Sequence, residues 1–157
     1  ADLGIRPTGG GVYGSSGRLE KGYRLMGAEL ESEYNPLEAG LARPRVKAAD
    51  FIGREAARAE LERGPARKLV TLVLDVDDAD AIHDEPIFHG GACVGFVTSG
   101  GYAHHTGNSV ALGYIPTPLA DGSAGDGGFE VEVLGQMRPA RLQLVALYDP
   151  ACERMRG

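Results

Sequence analysis

"EPIFHGGACVGFVTSGG", Glu85–Gly101, decides the fold. Two runs of β-branched and aromatic residues flank Gly90-Gly91, a pair that accepts positive φ at little cost, so the stretch predicts a β-hairpin. The same texture continues on both sides, in "RKLVTLVLDV" from Arg67, "NSVALGYIP" from Asn108, "GFEVEVLG" from Gly128 and "RPARLQLVALYD" from Arg138. Each is a short alternating or β-branched run bounded by Gly, Pro, Asn or Asp. Strands this short and this regularly interrupted predict a small antiparallel barrel or sandwich. Between two of them, "TPLADGSAGDGG" from Thr117 reads as a flexible loop.

Upstream of Gly64-Pro65 the texture changes. "DFIGREAARAELERGP" is the clearest helix, with Asp50 as expected cap, Ala, Glu, Leu and Arg as filling, and Gly64-Pro65 as the stop; the pattern predicts Ile52 to Arg63. In "NPLEAGL", Asn35 can cap a short turn and Pro36 can take its first position. "TGGGVYGSSG", from Thr8, holds five glycines and reads as a loop. The fold class is therefore α+β: a mixed front piece of short strands and a helix, residues 1–65, and an antiparallel β back piece, residues 66–157.

The chain has 157 residues, 43% of them hydrophobic, enough to bury one real core. Its 16 Lys and Arg against 22 Asp and Glu give a net charge of -6, and no stretch concentrates positive charge, which argues against nucleic acid as a partner. No apolar run of about 18 residues can span a bilayer and no secretion signal opens the chain, so a cytoplasmic setting and no membrane partner are expected. Cys93 and Cys152 sit far apart without a CxxC pair, and no metal site is expected.

Taken in order, "GRLEKGYRLMGAEL", "NPLEAGL", "DFIGREA", "EPIFHGG", "VGFVTSGGY", "NSVALGYI" and "LYDP" resemble the C-terminal portion of the folate-dependent aminomethyltransferase family, which includes the glycine cleavage T-protein. "YAHHTGNSVALGYIP" and "ALYDP" are worded more like its dimethylglycine and sarcosine dehydrogenase branch. The resemblance runs from about Ile5 to Arg156. It implies a folate-binding lobe, here only its C-terminal part over residues 1–65, followed by a C-terminal β-barrel over residues 66–157. It also implies tetrahydrofolate as cofactor and one-carbon transfer from an aminomethyl or N-methyl donor of the glycine, sarcosine or dimethylglycine type. The aspartate thought to assist methylene transfer lies in the N-terminal half of the relatives, and no position here matches it. The catalytic residue is thus unassigned, and a chain or domain supplying that half becomes an expected partner.

The resemblance puts Glu20 where a carboxylate holds the pterin ring. The chemistry suits it: the pterin edge offers an amino group beside a ring N–H, two parallel donors that a carboxylate can accept together, at roughly 1.5–3 kcal/mol per charge-assisted bond. Leu19, Leu25 and Met26 would line the cleft, Gly22 would allow close approach, and Arg18 or Lys21 would keep the carboxylate ionised. Without the resemblance, Glu20 reads as a surface ion-pair member. Arg45, five residues before Asp50, falls where relatives carry a cation for the folate tail or ring; read alone it is a solvated arginine. Tyr23 can stack on the ring or serve the core. Arg54 is expected to pair with a neighbouring acid or pack its stem.

His104 and His105, adjacent on an expected strand, would point to opposite faces and could not share one metal ion. His83 and His89 lie in turn-rich surroundings, and Ser99 lacks the strand-to-helix elbow of an activated serine. Asn108 stands where relatives more often have lysine. A different class of function stays open beside the enzymatic one: a non-catalytic folate-binding or subunit-docking module. The family's iron-sulfur assembly factors carry a "KGCYxGQ" motif that is absent here.

Overall fold

The computed structural model describes residues 3–4, 6–41, 47–123, 125 and 127–156. Six strands, β1 (Arg67–Leu74), β2 (Pro86–His89), β3 (Ala92–Ala103), β4 (Asn108–Pro116), β5 (Phe129–Val133) and β6 (Gln136–Gln143), close into a barrel in the order β1-β4-β3-β2-β5-β6. Every pairing is antiparallel. Alternation explains the interior: in β5, Phe129, Val131 and Val133 point inward and are buried, while Glu130 and Glu132 lie half-buried on the other face. Leu72, Ile87, Val97, Ala111 and Ile115 fill the same interior. Gly90 (φ 58) and Gly91 (φ 79) make the β2–β3 turn, as their composition predicts.

The β1–β2 connection folds over the core, with Ala81 fully buried and Val76 and Ala79 packed beside it. Its backbone is tied to β3 by Gly100 N–H donating to Ile82 O at 2.7 Å and Asp84 N–H to Val97 O at 2.7 Å. This approach depends on Gly100, since a Cβ there would stand 2.3 Å from Ala81 O.

β4 departs from simple alternation because both of its faces are covered. Ala111 and Ile115 face the interior, while Val110 and Leu112 join Leu19 in a second cluster outside the barrel. Leu19 belongs to a short helix, α1 (Arg18–Lys21), which continues a π-helical turn at Val12–Gly17. The glycine-rich approach is therefore helical rather than the expected loop. Tertiary packing overrides its poor propensity: Leu19 is 1% exposed and Ser16 8%. Gly22, at φ 68, ends α1 as a left-handed cap whose N–H reaches Arg18 O and Leu19 O.

Asn35 caps as expected: its Oδ1 accepts the N–H groups of Leu37 and Glu38 at 2.9 Å each, and Glu38 Oε2 accepts Asn35 N–H at 3.1 Å. α2 (Arg54–Arg63) starts two residues later than the pattern predicts, after Gly53 at φ 86, with no side-chain cap. Asp50 lies too far upstream to serve. α2 buries none of its residues. Among the described residues no helix is long and apolar enough to cross a membrane.

Candidate functional site

Two glutamates fasten the front segment to the barrel. Glu20, 4% exposed, accepts His105 N–H on Oε1 at 3.0 Å and Thr106 N–H on Oε2 at 3.1 Å. Its backbone oxygen accepts Tyr148 N–H at 3.0 Å. The two-donor edge expected from a ligand is thus matched by two consecutive amides of the β3–β4 turn. Among the described residues neither neighbouring cation pairs with this carboxylate, since Lys21 and Arg18 bond to other acids. Lys21 donates to Asp149, through its backbone oxygen and, at 3.3 Å, through Oδ2. Desolvation pulls the Lys21 ammonium down, but its bonds to Cys152 and Asp149 outweigh that and leave it above its ordinary value.

Arg18 turns instead to Glu29, which is fully buried. Glu29 Oε2 accepts Arg18 Nη1 at 3.2 Å and Leu25 N–H at 2.9 Å, and Oε1 accepts the Thr98 hydroxyl at 2.7 Å. Arg18 also donates through Nη2 to Ser99 Oγ at 2.8 Å. The neighbours Thr98 and Ser99 both serve this cluster because β3 is bulged there: Val97 pairs with Gly113 and Ser99 with Leu112, leaving Thr98 without a partner residue. Tyr114 OH donates to Glu29 O at 2.8 Å, and burial pushes its phenol up to about 12. Its ring stacks on Tyr34 at 3.8 Å, with the Arg67 guanidinium 4.6 Å from the Tyr34 centroid.

Beside this cluster lies a cleft of about 610 Å³, lined by Arg18, Leu25, Tyr34, Phe96, Thr98 and Ser99 among others. That is the size of a small-molecule pocket. Asp84, at the left-handed φ of 69, and His83 also line it.

Of the residues predicted to hold folate, Glu20 is buried under the β3–β4 turn and does not line this cleft. Tyr23 is 46% exposed, near Leu25 and Met26, which are exposed as well. Arg45 lies outside the described residues. Gly22 serves as a helix cap, with nothing near the position of its absent Cβ. Arg54 Nε is buried without a hydrogen-bond partner among the described residues, so the expected acid pairing does not extend to that atom.

His104 and His105 stand on the β3–β4 turn rather than on a strand, and their rings separate: His104 packs against Tyr102 (5.1 Å) and His105 against Tyr148 (4.7 Å). His89 packs on Phe129, and His83 is exposed beside Asp84. Asn108 Nδ2 donates to Thr106 O at 2.8 Å and so closes the turn. Cys93 and Cys152 are free thiols. Sequence reasoning missed Glu29 and the roles of Thr98 and Ser99. Glu29, an acid between Ala28 and Leu30 on an otherwise half-apolar run, was the available signal; a bulge leaves none.

A family model described as the glycine cleavage T-protein C-terminal barrel domain matches residues 67–149. Human mitochondrial dimethylglycine dehydrogenase is 38% identical over 142 residues, covering 88% of this chain and 16% of that protein. An aminomethyltransferase of Parasynechococcus marenigrum (strain WH8102) is 38% identical over 141 residues, 88% of this chain and 37% of that one. The crystal structure of the glycine cleavage system aminomethyltransferase T from Bartonella henselae matches with a TM-score of 0.75 and 25% identity, over 87% of this chain and 38% of that one. The chain thus spans 16% and 37% of the lengths of these two curated relatives.

Proposed function

The chain belongs to the glycine cleavage T-protein family and carries its C-terminal barrel domain, and from that premise we propose that it is the C-terminal part of a tetrahydrofolate-dependent one-carbon transferase. Residues 1–65 would be the end of the folate-binding lobe and residues 66–157 the barrel. The donor would be an aminomethyl or N-methyl amine of the glycine, sarcosine or dimethylglycine type. One observation carries this reading: residues 18–30 are bolted to the barrel by two buried carboxylates, Glu20 and Glu29, yet present Tyr23, Leu25 and Met26 exposed. A rigid wall with apolar side chains left uncovered suits a flat ligand and the rest of a cleft.

The residues present fit a reduced folate. Tyr23 offers an exposed ring, while Glu20, 4% exposed and with two of about four acceptor positions spent on amides, would meet a pterin edge only where the β3–β4 turn lets one reach its remaining two. Arg45 remains the proposed partner of a folate carboxylate. Bound tetrahydrofolate would supply the nucleophilic amine that receives the one-carbon unit. This chain's residues would bind, orient and exclude water, without a covalent intermediate of their own. The N-terminal half of the cleft would come from a preceding segment or a partner chain. Exposed Phe51 and Ile52 favour such docking, which a non-catalytic module would share.

Calorimetric titration with tetrahydrofolate tests the reading. Glu20→Gln and Tyr23→Ala should each weaken binding about ten-fold, with unfolding followed on the same samples. Equal affinity in both variants and the unmodified chain would remove these residues from the site.

A further inference from the structure

The β3–β4 turn offers Glu20 the same pattern of donors that a pterin edge would. His105 N–H reaches Oε1 at 3.0 Å and Thr106 N–H reaches Oε2 at 3.1 Å, so two adjacent amides take one oxygen each. With Glu20 only 4% exposed, no second two-donor edge meets the carboxylate while the turn lies on it. Yet the closed turn carries a penalty of its own. Thr106 Oγ1 is buried without a hydrogen-bond partner among the described residues, and lifting the turn gives that hydroxyl to water. Gly107 supplies a hinge: it sits at φ 71, and beyond its chain neighbours the nearest atom to the position of its absent Cβ is Tyr102 Oη at 3.9 Å.

The bonds that shape the turn are separate from those that hold it down. Asn108 Nδ2 donates to Thr106 O and Gly107 N–H to Ala103 O, each at 2.8 Å, all within residues 103–108. Asn108 thereby orders Thr106 and keeps its amide aimed at Glu20, a preorganisation that the closed form loses without it. α1 does not rely on the turn alone, because Leu19 packs with Ala103, Val110 and Leu112 and the Glu20 backbone oxygen accepts Tyr148 N–H at 3.0 Å. The carboxylate can therefore be uncovered while its helix stays seated. We infer that the β3–β4 turn is an autoinhibitory latch: it occupies Glu20 in the empty protein and lifts about Gly107 when a ligand with two adjacent N–H donors takes its place. Ligand affinity is then divided by the small fraction of molecules whose turn is already open. The inference rests on the reading of Glu20 as a pterin acceptor and adds the control of that site, while the competition itself comes from the contacts of the turn.

The test follows amide exchange by NMR of the labelled chain with two probes in separate titrations. One is tetrahydrofolate; the other is isocytosine, which carries the same amino group beside a ring N–H without the rest of the pterin or its tail. Saturation with either should speed exchange of the His105 and Thr106 amides about ten-fold or more, with the interior amides of β4 unchanged. Two variants should move affinity in opposite directions. Asn108→Ala loosens the closed turn and should tighten ligand binding about three- to ten-fold. Thr106→Val keeps the amide, replaces the dry hydroxyl with a methyl group and should weaken binding by a similar factor, about three- to ten-fold. A turn with a merely structural role gives no gain of affinity in either variant. Binding with both amides still protected, weaker binding in Asn108→Ala, or no binding of either probe even in Asn108→Ala overturns the inference. The exchange measured on the unmodified chain decides it if the variants fail to fold. Isocytosine that binds and frees the two amides where tetrahydrofolate does not bind sinks only the folate reading, and tetrahydrofolate bound over a closed turn sinks only this one.

Discussion

Glu20 and His105, separated by 85 positions in the chain, are joined by a 3.0 Å hydrogen bond from the His105 amide to the Glu20 carboxylate. With the Thr106 bond beside it, this contact turns a helix of only four residues into a fixed part of the barrel wall. The carboxylate and the apolar Leu19 act together: one satisfies two turn amides, the other fills the cluster over β3 and β4.

Glu20→Gln should therefore lower stability before any ligand is considered. The amide replaces one acceptor oxygen with a donor that faces an amide N–H, at a loss of about 1.5–3 kcal/mol. For a chain of this size that is a fall in unfolding midpoint of roughly 3–12 °C, readable by calorimetry. An unchanged midpoint would show that the turn holds itself.

Glu29 should be the more sensitive position. It is wholly buried and holds Arg18, Thr98 and the Leu25 amide at once. Glu29→Ala leaves the guanidinium beside an empty space and should cost about 3–5 kcal/mol. Glu29→Gln keeps the shape and should cost less. Urea unfolding of the two variants checks the order; a reversed order would contradict the ion pair's role.

The barrel was readable because its evidence is local: glycines at a hairpin turn, alternation in "FEVEV", and runs ended by Gly or Pro. The front segment was not, because its order comes from elsewhere. Nothing within "TGGGVYGSSG" favours a helix, and the turn forms because Leu19 and Ser16 find a surface on the barrel. The same limit applies to the site. Glu20 was visible as an unusual carboxylate, but its partners lie on a turn that spacing along the chain does not bring near. The bulge at Thr98 reverses the rule that neighbouring strand residues diverge, which hid the cluster around Glu29.

Gly100→Ala probes the lid over the barrel. The new methyl would meet the Ala81 carbonyl oxygen at 2.3 Å and its carbon at 2.5 Å, both backbone atoms that cannot rotate aside. The β1–β2 connection must lift, at about 1–3 kcal/mol. Hydrogen exchange should report it as faster exchange of the Gly100 amide, which now donates to Ile82 O, with interior amides of β1 and β4 protected as before. Unchanged Gly100 exchange would mean that the connection already moves freely.

Alkaline unfolding should reveal Tyr114. Burial raises its phenol to about 12, and Glu29 O accepts its proton. A neutral acid whose folded value lies above its ordinary value near 10 stabilises the fold in its protonated form. That stability is fully present below about pH 10 and is lost as pH rises through about 12. Stability measured in urea should thus fall across this window, and spectroscopic titration should find Tyr114 and its stacked partner Tyr34, which burial also raises, ionising late, Tyr114 together with unfolding. In Tyr114→Phe the buried hydroxyl is gone and Glu29 O loses a donor. The variant should start less stable, and its decline across the window should be shallower than that of the unmodified chain. A decline of the same steepness in both proteins would place the alkaline transition on another group.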